Sequence, residues 1–284
     1  MPRAFFFRLC GVIPKGFMML ETLFADISWP ALLVRMGATA MVVVMVSWSV
    51  GAFGPLVGGA LAGLPMVLGP GFYFLATQFP ADFIHQAASY ALYSLCATQL
   101  FVLAYILAAR SLPPWRTLGC AVLVWLASAA LLSFLPAQPW LGLAVFVLTT
   151  IVCLRLAREA RSEVAAAKGR AGWGLLLLRG ALAGVLVACV TTASQWLGPS
   201  ASGLLLAFPI GYTVVAVTIH QRLGAGSLIA TLRSALLGTA SLAGFCSVLA
   251  LSVLHMSWMW ALLVAAGVSM LITVILVFRP WARP

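Results

Sequence analysis

The chain has 284 residues, 64% of them hydrophobic and 7% charged, with a mean hydropathy of +1.13. Soluble domains carry about a quarter charged and about half apolar residues, so there is too little polar surface to cover a water-soluble globule. Disorder needs the opposite composition, and no charged stretch is long enough to hold a polar catalytic domain. What remains is an all-α polytopic membrane protein. The net charge of +11 does not point to nucleic acid. The basic residues gather between Arg155 and Arg179 and at the ends of apolar runs, which is how a membrane protein marks its cytoplasmic side. The six cysteines, Cys10, Cys96, Cys120, Cys153, Cys189 and Cys246, form no CxxC pair and read as small buried hydrophobes. Neither a metal nor a cofactor is expected.

In chain order, residues 1–30 form a tail. Its apolar stretch is interrupted by Arg8 and Lys15, so it is a poor signal peptide. The tail reads either as an interfacial helix over 17–27 or as sequence upstream of a start at Met18 or Met19. A spanning helix needs roughly 20 apolar residues, and nine runs meet or approach that. They lie at 36–53, 56–79, 85–109, 117–135, 139–154, 180–197, 201–220, 234–254 and 257–278. The fifth is the shortest. Pro80, Pro113, Pro114, Pro136, Pro139 and Pro280 mark boundaries, since proline disfavours helix at the residue before it. Backbone polar groups in lipid must be satisfied within the segment, so these runs are helices. If all nine span and the C-terminus is cytoplasmic, Arg110, Arg116, the 155–179 cluster, Arg222, Arg233, Arg279 and Arg283 all fall inside. The competing arrangement makes 56–79 re-entrant and leaves eight spans. Either way the expected location is the inner (plasma) membrane of a bacterium.

Shifted by 144 residues, the sequence matches itself. GPLVGGALAGLP at 54–65 falls on GPSASGLLLAFP at 198–209 without a gap, and Arg35 falls on Arg179. The expected organisation is a first four-helix repeat over 31–137, a linker helix with a basic loop over 138–172, and a second four-helix repeat over 173–284. An odd linker between two even halves inverts the second half, giving an inverted 4+1+4 repeat. That plan is common among secondary transporters.

Matched Gly/Pro-interrupted segments in two halves point to a transport site. Here they are 54–72 and 198–212. Pro65 and Pro209 should each break or kink a helix, with Pro70-Gly71 adding a second break in the first half. The candidate solute-binding residues are Gly54, Pro55, Gly59, Pro65, Gly198, Pro199, Gly203 and Pro209, joined by the hydroxyl-rich cluster Thr191, Thr192 and Gln195. Close helix packing by small residues is the competing explanation for these glycines. Asp82 and His85, at i and i+3, are the candidate ion-coupling pair, and Asp82 alternatively caps its helix. Thr77, Gln78, Thr98 and Gln99 are weaker polar candidates. Tryptophans at run ends, among them Trp29, Trp115, Trp140, Trp196, Trp258 and Trp281, read as interfacial belts. No catalytic motif stands out, so the chain is not expected to be an enzyme.

The leading expectation is a small secondary transporter, gradient-driven or passive. Its partners would be the lipid bilayer and a small-molecule solute, with a protein partner or homo-oligomer left open. The alternatives are a non-transporting subunit or assembly factor and, more remotely, a lipid-modifying enzyme using Asp82 and His85.

Overall fold

The computed structural model describes residues 29–52, 65–159 and 172–278. The expected interfacial segment at 17–27, the candidate residues Gly54, Pro55 and Gly59, and the basic loop from 160 lie outside them. The described residues fold into eight helices and no strand: α1 Trp29–Ala52, α2 Leu68–Ala76, α3 Ala81–Ala108, α4 Pro114–Leu132, α5 Pro139–Glu159, α6 Trp173–Leu206, α7 Ile210–Ser252 and α8 Trp258–Phe278. Among them are six helical stretches long and apolar enough to cross a bilayer. Leu123, Leu148 and Leu263 point outward at 66%, 63% and 58% exposure. Faces of this kind suit hydrocarbon and not water, so the protein is a multi-pass membrane protein.

Local chemistry sets the helix starts. Pro80 and Pro113, in extended conformation, precede α3 and α4, and Pro114 and Pro139 open α4 and α5. A first-turn proline forfeits only an N–H that has no helical partner anyway. α1, α6 and α8 each begin with a tryptophan. Asp82 does not cap α3 with its side chain. Pro80 holds the cap position, and Asp82 sits in the first turn, where a carboxylate complements the positive end of the helix.

Three expectations about individual segments need correction. The fifth run is a full helix to Glu159. Pro70 and Gly71 do not break α2, because Pro70 falls in its first turn, where the missing N–H costs nothing. Gly71 instead packs against Leu206, whose Cδ2 lies 2.7 Å from where a Cβ would stand. The loop expected over 221–233 narrows to a corner at Gly224, with helix on either side.

α6 and α7 are not single rods. Gly198 has φ 73° and ψ 176°, and Gly224 has φ 78° and ψ 175°, a region open essentially only to glycine. Ser202 Oγ donates to Ser194 Oγ at 3.0 Å. Eight residues along a straight helix would separate them by about 12 Å, so the axis doubles back at Gly198. Pro199 enforces the turn by excluding helical backbone from the residue before it. Likewise Tyr212 Oη donates to the Ala235 carbonyl at 3.3 Å across a separation that a straight helix would stretch to about 35 Å. The chain therefore turns at Gly224 as well.

α3 is the hub. It packs on α4, α5, α6 and α7, and its Leu92, Tyr93, Phe101 and Tyr105 are fully buried. Where hydrocarbon surrounds the protein, helix association rests on close approach and polar links, and both occur here. A Cβ on Gly203 would overlap the Ala87 carbonyl of α3. Gln99 Nε2 donates to Thr150 Oγ1 of α5 at 2.7 Å and to Thr239 Oγ1 of α7 at 3.0 Å.

Candidate functional site

Proline cannot donate a backbone hydrogen bond, so a helix entering Pro209 must stop and leave carbonyls unpaired. α6 ends at Leu206, Pro209 takes φ −78° and ψ 51°, and α7 starts at Ile210. Two hydroxyls of α3 serve the freed carbonyls. Ser94 Oγ donates to Leu204 O at 2.7 Å and Thr98 Oγ1 to Ala207 O at 3.3 Å. A break buried in a helical protein is tolerated on those terms. In the first half, Pro65 stands just ahead of α2, and its carbonyl accepts the Gly69 N–H at 2.7 Å.

Pro65 and the break at Pro209 meet. A cavity of about 310 Å³ is lined by Pro65 to Leu68 on one side and Leu206 to Tyr212 on the other. Val43 of α1, Leu95 and Thr98 of α3, Arg179 of α6, and Thr231 and Ser241 of α7 complete much of the wall. The volume lies at the lower end of the range for small-molecule sites, and apolar walls with a few polar groups are typical of them. Arg179 is its cation. The Nη2 of Arg179 lies 3.5 Å from where a Cβ on Gly211 would be. Its Nε is buried without a hydrogen-bond partner among the described residues.

Of the residues singled out from sequence, Pro65, Pro209 and the weaker candidate Thr98 line this cavity. Gly198 and Pro199 make the corner before it, and Gly203 seats the short helix after that corner on α3. Thr191 and Thr192 lie elsewhere. They accept Arg35 Nη1 at 3.4 and 3.1 Å, while Arg35 Nη2 donates to Gln78 Oε1 at 2.9 Å. Arg35 thus ties α1, the chain just after α2, and α6 together. Gln195 is exposed. Asp82 is exposed, and the Nδ1–H of His85 is given to the Ala250 carbonyl at 2.7 Å, so that ring links α3 to the end of α7. Neither lines the cavity.

Sequence reasoning missed Arg179 and Tyr212. Arg179 read as one more basic residue near a membrane face. Its position on Arg35 under the 144-residue shift, six residues inside a leucine-rich helix, was the available signal. Compared with known proteins, the chain matches no family model, no curated protein and no solved structure.

Proposed function

We propose that this chain is a secondary transporter of nine membrane passes, built as an inverted 4+1+4 repeat, whose solute binds between the two proline-broken segments. The carrying observation is that Pro65 and Pro209, matched in sequence, line a single cavity.

Helix boundaries support the repeat. Trp29 and Trp173 open α1 and α6, Ala108 and Ser252 close α3 and α7, and Pro114 and Trp258 open α4 and α8. Each pair stands 144 residues apart, as do Pro80 and the corner residue Gly224. Contacts support the inversion. Gly184 faces the Met36 carbonyl (2.6 Å from its would-be Cβ) and Gly180 faces the Ala40 carbonyl (3.0 Å). Under the shift Met36 corresponds to Gly180 and Ala40 to Gly184, so exchanging the halves converts one contact into the other. That reciprocity is what a two-fold relation produces, and the pairing of low with high numbers makes α1 and α6 antiparallel. The corners at Gly198 and Gly224 divide α6 and α7 into three passes. The middle one runs parallel to α3, with Gly203 by Ala87, Ala207 by Thr98 and His220 by Tyr105.

In this arrangement Arg110, Arg116, Arg155, Arg158, Arg222 and Arg233 share one end and Arg35 stands at the other. Basic residues favour the cytoplasm, which puts the C-terminus inside. The cavity wall at Arg179, Thr231 and Leu232 belongs to the basic end, whereas the Arg35 links tie helices together at the opposite end. The cavity therefore faces the cytoplasm, with the far side closed.

The test is uptake from a defined mixture of small acids, amines, amino acids and sugars into sealed proteoliposomes, read by mass spectrometry. A solute should accumulate with the wild-type chain, and at least tenfold more slowly with Pro209→Leu, which restores a helix-compatible residue at the break. Equal uptake by the two proteins counts against the reading.

A further inference from the structure

We infer that the cavity takes an amphipathic organic anion, a carboxylate or similar monoanion carried on an apolar body. The inference rests on the binding site proposed above and names its ligand class. Arg179 brings a positive charge into a cavity whose wall is otherwise dominated by Val43, Leu68, Leu95, Leu206, Phe208 and Val215. A charge in such surroundings is costly unless it is paired. No carboxylate among the described side chains pairs it: Asp82 sits in the first turn of α3 and does not line the cavity. The guanidinium instead lies against Gly211, the second residue of α7. The N-terminal end of a helix carries partial positive charge, so the neighbour of this cation has the same sign. Two positive sources facing one cavity, with a buried Nε left unpartnered among the described residues, are reconciled by a negative group between them. A guanidinium also holds a carboxylate through paired N–H donors.

The remaining wall restricts the rest of the ligand. Thr98 and Tyr212 already spend their hydroxyls on the Ala207 and Ala235 carbonyls, leaving little to bind a sugar. A cationic solute would meet Arg179. The same chemistry is offered by a free organic acid and by the headgroup end of an anionic lipid, and the experiment separates the two.

Binding of 4-phenylbutyrate, octanoate and their uncharged amides is measured by calorimetry on the full chain in phosphatidylcholine nanodiscs, with and without phosphatidylglycerol. At least one acid should bind at least tenfold more tightly than its amide. Arg179→Gln should remove that preference, and Arg179→Lys should recover part of it. A preference unaffected by phosphatidylglycerol assigns the site to soluble acids, and one suppressed by it assigns the site to lipid. Equal affinity for acid and amide, binding of neither, or a preference surviving in Arg179→Gln overturns the inference. If Arg179→Gln does not fold, the wild-type ratio decides. Anion binding without uptake would sink the transport reading and leave this one standing. Uptake with no preference for acids would do the reverse.

Discussion

Arg35 and Arg179 stand 144 residues apart on two helices that pack against each other, and their surroundings could hardly differ more. Arg35 makes three side-chain hydrogen bonds, to Gln78, Thr191 and Thr192. Arg179 lines a cavity with its Nε unpartnered among the described residues. If the halves derive from one ancestral unit, equivalent positions hold opposite jobs here: one draws helices together, the other faces open space. On the transport reading proposed above, a carrier resting with one side closed needs that inequality, because two identical ends would be both open or both shut.

The largest expected effect tests the inequality directly. In a chain whose six native cysteines are replaced, a cysteine at Thr231, on the cavity wall, should react with a soluble maleimide about a hundredfold faster than one at Ser194, which is fully buried beneath Gly198. Equal rates would mean that the two ends do not differ. A smaller effect should follow from wedging the helices that the two arginines share. A Cβ on Gly184 would sit 2.6 Å from the Met36 carbonyl, which is backbone and cannot rotate away. Gly184→Val should therefore cost about 1–3 kcal/mol, seen as a lower melting temperature in detergent. Gly37→Val, on the same pair of helices but with nothing near its would-be Cβ, should show no comparable loss. Similar melting temperatures for both variants would remove the close crossing from the account. The smallest effect sharpens the comparison. Hydrogen bonds between membrane helices average about 0.6 kcal/mol each, so cutting the three from Arg35 with Arg35→Ala should raise labelling at Ser194→Cys by roughly twentyfold. Unchanged labelling would show that those bonds do not hold that end closed.

Much of this was legible in the residues alone. The runs expected at 85–109, 117–135 and 257–278 are long and apolar, and each became a helix near its expected bounds. Pro209 also told where one of the passes breaks, because a missing N–H is a local fact that no packing can restore. Other features were not legible. A turn was expected somewhere between residues 220 and 234, but nothing in the sequence said that it would narrow to the single residue Gly224. Asp82 is of a residue type that favours helix caps, yet Pro80 holds the cap position. Thr191 and Thr192 formed the densest hydroxyl cluster. Whether they faced a solute or an arginine depended on α1, more than 150 residues earlier.

Membrane class, helical content and the break at Pro209 were thus determined by the sequence itself. They follow from bilayer thickness and from backbone hydrogen bonding, which act within a single segment. The meeting of Pro65 with Pro209 around one cavity, and the contrast between Arg35 and Arg179, were decided only by the tertiary structure, since they depend on which helices approach closely enough for small residues and polar side chains to touch.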